Sequence, residues 1–209
     1  MDQKSDDRYR LLMELRGLSC VPMLEPRAIS KNICNSRSFG QPQQEYEAIA
    51  AAVSTFAHNC GQKLRAQTAC ASVLTVFIHT NKHRKDQPQY SGSKSISLPT
   101  ATNSSTELIK AALYVLQRVF KPGFVYAKAG VIVTGIIPSN QVTADLFDTA
   151  NREKQAEVSQ LIDDLNRRYG RNTIVFAAQK TAHQWQTRAD RKSPCYTTAW
   201  PDLPKIQLE

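Results

Sequence analysis

Two helices that each carry a single apolar stripe constrain the fold of this chain most strongly. Between Glu45 and Arg65 apolar residues recur every three or four positions, and the same spacing returns after Ser104. Each stripe predicts one buried face, so both helices must pack on a common partner. Ser104 and Glu107 form a capping-box pattern at the start of the second helix, and Pro122 ends it. The stripes consist of Ile49, Val53, Phe56, Cys60 and Leu64 in the first helix and Ile109, Ala112, Leu113, Leu116, Val119 and Phe120 in the second.

Four strand-like segments alternate with these helices. Residues 72–80 are the clearest, because their side chains alternate between two faces and β-branched residues dominate. With 32–40, 93–98 and 125–137, the order becomes strand, helix, strand, strand, helix, strand. Two striped helices can both cover one face of such a sheet. The sequence therefore predicts an α+β fold with a four-stranded mixed sheet and two helices on one face, and we expect the open face to be basic.

The segments on either side of this unit have a different character. A polar leader runs to about Arg10, a helical turn follows over 11–15, and Pro22 and Pro26 favour extended backbone, as in a tether between domains. The predicted division is therefore a leader and linker over 1–30, a central domain over 31–137 and a C-terminal region over 138–209.

The C-terminal region is predicted to be a small helix–strand unit. A helix over 152–169 ends at Gly170, and a short strand follows at 174–176. We interpret Asp163 and Asp164 on this helix as solvated charges. Aromatic residues between bases in the tail are typical of nucleic-acid binding or, more simply, of a tail pinned onto a small core. The helix stripe is Val158, Leu161, Ile162 and Leu165, and the tail aromatics are Trp185, Tyr196 and Trp200.

The positive charge is concentrated in the central domain. Residues 31–137 contain twelve Lys or Arg and four acids, a net charge of +8, whereas the whole chain carries +9. A basic segment with hydroxyl groups on its strands indicates a polyanionic partner, most often nucleic acid.

Ser36, Arg37 and Ser38 are the first candidate contacts. Along a strand Arg37 falls on one face and the two serines on the other. Such donors suit phosphate oxygens, although an ordinary exposed strand explains the same pattern. Lys94 and Ser95 repeat the combination of serine and base on a later strand.

Several classes of protein are disfavoured. The longest apolar runs are far shorter than the ~20 residues of a membrane helix, and the charged first residues lack a signal-peptide pattern. We therefore expect a cytoplasmic protein with no membrane partner. Five cysteines without close pairs favour reduced thiols, and no metal-ligand spacing is present. The sequence predicts no catalytic residue, metal site or cofactor.

Six motifs occur in a fixed order: Cys34-Asn35-Ser36-Arg37-Ser38-Phe39-Gly40, Gln62-Lys63-Leu64-Arg65, Tyr126-Ala127-Lys128-Ala129-Gly130-Val131, Asp145-Leu146-Phe147, Asn166-Arg167-Arg168-Tyr169-Gly170 and Ser193-Pro194-Cys195-Tyr196-Thr197-Thr198. Together they resemble the C-terminal half of UmuC proteins, the catalytic subunits of bacterial translesion DNA polymerase V. The resemblance implies that 31–137 is the little finger of a Y-family polymerase, whose sheet lies on the template–primer duplex and holds its phosphates during SOS-response DNA repair. The implied DNA-binding residues are Ser36, Arg37, Ser38, Lys63, Arg65, Lys94, Ser95 and Lys128.

The chain departs from that family where catalysis is concerned. Y-family polymerases transfer nucleotides with carboxylates and Mg²⁺ held in a palm domain that precedes the little finger. Only about thirty residues precede it here. We therefore expect the chain alone to add no nucleotide, and Mg²⁺ to serve only the full polymerase.

A second function class stays open beside DNA binding. The resemblance places a sliding-clamp peptide at Thr143, Asp145, Leu146 and Phe147, and it implies a recombinase (RecA) filament and a UmuD-like subunit as further partners. Alternatively, Leu146 and Phe147 pack against the helix that follows. RNA binding is the weaker third option, because no Lys/Arg-Gly-Phe-like strand is present.

Overall fold

The computed structural model describes residues 3–20, 30–84, 86–143 and 151–179, together with 185, 193–196 and 203. Within these residues the helices and strands follow the predicted order, with a further helix at each end. They are α1 (Gln3–Leu15), β1 (Ile33–Gln43), α2 (Tyr46–Ala66), β2 (Ala69–Thr80), β3 (Ser91–Thr102), α3 (Ser105–Val119), β4 (Tyr126–Pro138) and α4 (Arg152–Tyr169).

The four strands form one sheet in the order β1-β4-β2-β3. The α+β class and the four-stranded sheet are confirmed, but the prediction of a mixed sheet is wrong, because every neighbouring pair is antiparallel. Helix α2 connects β1 to β2, and α3 connects β3 to β4. The two pairs interleave in the sheet, because β4 lies between β1 and β2, and β2 lies between β3 and β4. Strands joined through a helix therefore run in the same direction without sharing hydrogen bonds.

Helices α2 and α3 cover one face of the sheet, as predicted. The α2 stripe is buried along its whole length, and on α3 Ile109, Ala112, Leu116 and Val119 are buried. These side chains meet Leu74, Val76 and Ile78, which project from the helix-facing side of β2. The opposite face of the sheet is left uncovered by these two helices.

The start of α3 differs from the predicted capping box. Ser104 is the N-cap residue, but its side chain makes no hydrogen bond to the helix. The Ser104 backbone N–H instead donates to Thr102 Oγ1 at 3.1 Å. Glu107 pairs with Arg152 of α4, with 3.4 Å between Arg152 Nη1 and Glu107 Oε2. The Glu107 carboxylate, expected to cap α3, thus links this helix to α4 instead.

Helix α4 has the predicted bounds and ends at Gly170, which adopts a positive φ. Its buried face, however, is polar. Val158 and Leu161 of the predicted stripe are 47% and 59% exposed, whereas Asp163 is 8% exposed. Asp163 accepts two hydrogen bonds from Arg65 of α2, at 2.6 Å from Nε and 3.0 Å from Nη2. The interpretation of Asp163 as a solvated charge is therefore wrong, because a cation on another helix compensates it.

The strand predicted at 174–176 is absent. Ile174 there donates its N–H to Asn166 Oδ1 and accepts from Asn166 Nδ2 through its carbonyl, both at 2.9 Å. One buried amide side chain thus satisfies the backbone groups that a neighbouring strand would otherwise bind. Phe176 then packs against His58 of α2, with ring centroids 5.5 Å apart.

The two ends of the chain also differ from expectation. Helix α1 starts at Gln3, so the predicted polar leader to Arg10 is helical. The predicted linker prolines Pro22 and Pro26 lie outside the described residues. Trp185 is 3% exposed and joins the core beneath the sheet, so this part of the tail is pinned to the main core instead of to a separate small one. Tyr196 is exposed, and Trp200 lies outside the described residues.

Candidate nucleic-acid interface

The uncovered face of the sheet, here called the open face, is rich in hydroxyl groups. Strand alternation and pairing register place side chains from all four strands on it. Its hydroxyl residues are Ser36 and Ser38 of β1, Thr134 of β4, Thr75 of β2, and Ser91, Ser93, Ser95 and Ser97 of β3. A hydroxyl group both donates and accepts hydrogen bonds, so this face can bind anionic oxygens without carrying much charge itself.

Some of these hydroxyls are fixed by neighbours and others are available. Thr75 Oγ1 and Ser95 Oγ are 2.8 Å apart, and Ser91 Oγ is 2.7 Å from His79 Nδ1. Ser36 and Ser38 make no side-chain hydrogen bond to another described residue, which leaves both free to donate to a ligand.

A glycine at the centre of β4 allows an aromatic ring to lie flat on the open face. A Cβ atom added to Gly130 would overlap the ring of Phe77 and the Cβ of Ser36. The Phe77 ring in turn stacks on His79, with centroids 5.2 Å apart and planes at 29°. The middle of the face is therefore a flat aromatic platform between rows of hydroxyl groups.

Positive charge gathers at one end of the open face. Lys128 of β4 is paired with both Ser38 and His79 in the sheet register. Partial burial, followed by the charges of Lys82 and Lys128, lowers the pKa of His79. We expected the whole face to be basic, and it is not. Hydroxyl groups dominate its strands, and the cations lie near His79, close to the β2–β3 turn.

The other predicted bases lie elsewhere. Arg37 is opposite Ala129 and Lys94 opposite Val76, so both project from the helix-facing side of the two edge strands. The predicted Ser-plus-base pairs are therefore divided between two faces by strand alternation. A phosphate contact by Arg37 or Lys94 remains a prediction.

On α2 the two predicted bases have different environments. The Arg65 side chain is only 11% exposed, and besides Asp163 it contacts the carbonyl of Asn103 and the hydroxyl of Ser105. DNA binding by Arg65 therefore stays a prediction, and in the free protein its donors are already bound to Asp163, Asn103 and Ser105. Lys63 is exposed and lies on the helical side of the molecule.

The clamp-binding hypothesis stays a prediction. Thr143 is exposed, whereas Asp145, Leu146 and Phe147 lie outside the described residues. Among the residues that the structure describes, no group of three or more His, Cys, Asp or Glu side chains is placed to hold a metal ion. The described helices also include none with the length and apolar character needed to cross a membrane.

Sequence reasoning missed His79, Lys82 and most of the serine row. The signal for the row was present in Ser91-Gly92-Ser93-Lys94-Ser95-Ile96-Ser97, where serine occupies every second position. In a strand such spacing places all four hydroxyls on one face. No local pattern indicates that Lys82 and Lys128 both lie near His79, because turn conformation and strand pairing bring them there.

Comparison with known proteins gives two matches that together extend over most of the chain. The impB/mucB/samB family C-terminal domain matches residues 30–146, and a domain of unknown function, DUF4113, matches 156–206. Protein ImpB of Salmonella typhimurium is 34% identical over 200 residues, 95% of this chain and 47% of ImpB. Protein UmuC of Salmonella typhimurium strain LT2 is 32% identical with the same coverage. DNA polymerase IV of Moorella thermoacetica is 23% identical over 168 residues. The chain thus spans about half the length of the curated relatives ImpB and UmuC, and the resemblance predicted from the motifs is confirmed.

Proposed function

The chain belongs to the impB/mucB/samB family, whose C-terminal domain it carries over residues 30–146, and we propose that it binds duplex DNA without sequence preference through the open face of its sheet. In this proposal the face is a little finger that grips the template–primer duplex of a Y-family translesion polymerase at damaged DNA. For the longer proteins of the family, the same proposal includes nucleotide transfer with Mg²⁺. It also includes binding to the sliding clamp, to the UmuD-like subunit and to the RecA filament.

The observation that carries the proposal is the uncovered sheet face itself. It presents hydroxyl donors on all four strands and a cationic end formed by Lys82, Lys128 and His79. Hydroxyl and ammonium groups suit phosphate oxygens, and contacts of this kind hold a duplex without reading its bases. The described part of the open face presents no carboxylate that would repel phosphates.

Salt dependence tests this proposal. If about five phosphates are neutralised, the logarithm of the affinity for a fluorescein-labelled duplex should fall with the logarithm of salt concentration at a slope of roughly −4 to −5. Fluorescence anisotropy over about 50–200 mM salt measures the slope. The Lys82→Ala/Lys128→Ala double variant should flatten it by about two, since each lysine neutralises one phosphate.

The matched control removes two charges from the opposite side. Lys110 and Arg118 are exposed on the outer surface of α3, with the Arg118 guanidinium 3.4 Å from the centroid of the Tyr114 ring. Lys110→Ala/Arg118→Ala should leave the slope unchanged. Equal losses in the two double variants, an affinity independent of salt, or a strong preference for one sequence would each contradict the proposal.

The pH dependence of binding provides a second test. Because burial, Lys82 and Lys128 lower the pKa of His79, this imidazole is neutral in the free protein at neutral pH. A nearby phosphate favours the protonated form, so the pKa of His79 should rise on binding and affinity should increase as pH falls. We expect a gain of about three- to tenfold from about pH 7.5 to 5.5, and a flatter profile for His79→Gln. If His83→Gln, in the neighbouring turn, flattens the profile instead, the pH-sensitive contact is not on the open face.

A further inference from the structure

A second basic site lies behind the edge strand β1, on the opposite side from the open face. The cleft between β1, α2 and residues 166–172 has a volume of about 460 Å³. Buried rings of Phe56, His58 and Trp185 lie at its base. Among the described lining residues, four are basic, Arg37, Lys63, Arg167 and Arg171, five carry side-chain amides, and none is a carboxylate.

Most of this charge is not compensated by the residues that the structure describes. Arg167 forms an ion pair with Asp164 of the same helix, with 3.3 Å between Arg167 Nη1 and Asp164 Oδ1. Arg37, Lys63 and Arg171 form no ion pair or side-chain hydrogen bond with any other described residue. Three cations around one concave site repel each other, and an anion bound between them offsets this repulsion. The charge of the cleft therefore favours a negatively charged ligand.

The turn that carries Arg171 is held in place. Gly170 and Asn172 both have positive φ, and Thr173 Oγ1 donates to the carbonyls of Gly170 and Tyr169 at 2.8 and 3.2 Å. The amide of Asn166 anchors the next residues through Ile174. Arg171 thus projects from a fixed turn, which reduces the entropy lost when it binds a ligand.

The chemistry of the cleft favours a phosphate backbone. Its rings are 1–6% exposed, so they offer no surface on which bases can stack. Guanidinium, ammonium and amide groups remain, and these bind phosphate oxygens. Strand β1 links the two sites, because Ser36 and Ser38 face the open side while Asn35 and Arg37 face the cleft. We propose that the cleft binds backbone phosphates of a single nucleic-acid strand that continues from the duplex around the β1 edge. This inference rests on the proposed duplex binding.

The test compares a blunt duplex with the same duplex carrying a dT overhang of about ten nucleotides, at either end. Each of three cations should release about 0.7 counterion when it binds the overhang. The overhang that binds more tightly should therefore steepen the salt slope by about two and raise affinity about tenfold at low salt. In Lys63→Gln/Arg171→Gln the ratio of overhang affinity to blunt-duplex affinity should fall to about twofold. Lys110→Gln/Arg118→Gln, which removes equal charge from α3, should keep the full gain.

The outcomes separate this inference from the proposed function. Absence of an overhang gain, or an equal reduction in both double variants, would overturn it. A third result would also overturn it: the overhang has no effect, and a labelled deca-glutamate peptide binds the wild-type chain better than the cleft variant. The cleft would then suit an acidic protein segment. If the blunt duplex fails to bind but a dT strand binds and loses affinity in the cleft variant, duplex binding is contradicted and the cleft site stands.

Discussion

Replacing Arg65 with alanine should lower the free energy of unfolding by about 3–5 kcal/mol, because it leaves the Asp163 carboxylate buried without its cation. The two side chains are 11% and 10% exposed, and the guanidinium makes two hydrogen bonds to the carboxylate. The same guanidinium also contacts Asn103 and Ser105, so its loss removes links among α2, α4 and the start of α3. Urea denaturation of the full chain, followed by circular dichroism, measures the change.

Two further variants decide whether the ion pair is the cause. Arg65→Met/Asp163→Leu should recover most of the lost stability, because an apolar pair removes the uncompensated charge. Arg167→Ala breaks an ion pair with Asp164 whose side chains are 79% and 54% exposed, and it should cost no more than about 0.5 kcal/mol. If Arg65→Ala is as mild as Arg167→Ala, the buried pair does not hold α4 in place.

Replacing Trp185 with alanine should destabilise the chain by about 3–5 kcal/mol, the usual cost of removing a large buried aromatic. Trp185 packs edge-to-face on Phe56 of α2, with ring centroids 5.3 Å apart. Its carbonyl also accepts the N–H of Gly40 in β1 at 3.1 Å. The residue thus joins the tail to both the helix layer and an edge strand.

The control for this prediction is an aromatic residue of the same tail. Tyr196 is 48% exposed, so Tyr196→Ala should change the free energy of unfolding by less than about 0.5 kcal/mol. Urea denaturation of both variants provides the comparison. A Trp185→Ala protein with wild-type stability would show that the tail contributes little to the core.

The fold of the central domain could be predicted because its helices bury apolar stripes. On α2 the spacing of Ile49, Val53 and Phe56 identified the buried face, and the structure leaves these side chains at most 1% exposed. For α4 the same method chose the wrong face, since the residue that fixes its orientation is an acid. Asp163 is buried only because Arg65, 98 positions earlier, reaches it. Periodicity detects apolar burial and carries no information about a distant cation.

The candidate site was partly predictable for a similar reason. Alternation along β1 puts Arg37 on the same side as Ile33 and Phe39, and the structure buries both of those apolar residues against the helices. That placement already implied that Arg37 faces away from the open face. Net charge could not reveal this, because a count over 31–137 does not distinguish the two sides of a sheet. The cleft was not predictable, since it forms where residues 166–172 pack beside β1 and α2.

The most direct test of the open face is to map the backbone amides that respond when a short blunt duplex is added to the ¹⁵N-labelled chain. Proton–nitrogen correlation spectra should show chemical-shift changes concentrated at Ser38, Phe77, Ser95 and Lys128, which lie on the open face of the four strands. The outer surface of α3, including Lys110, should remain unchanged. Changes confined to the outer surface of α3, with no response on the strands, would contradict duplex binding by this face.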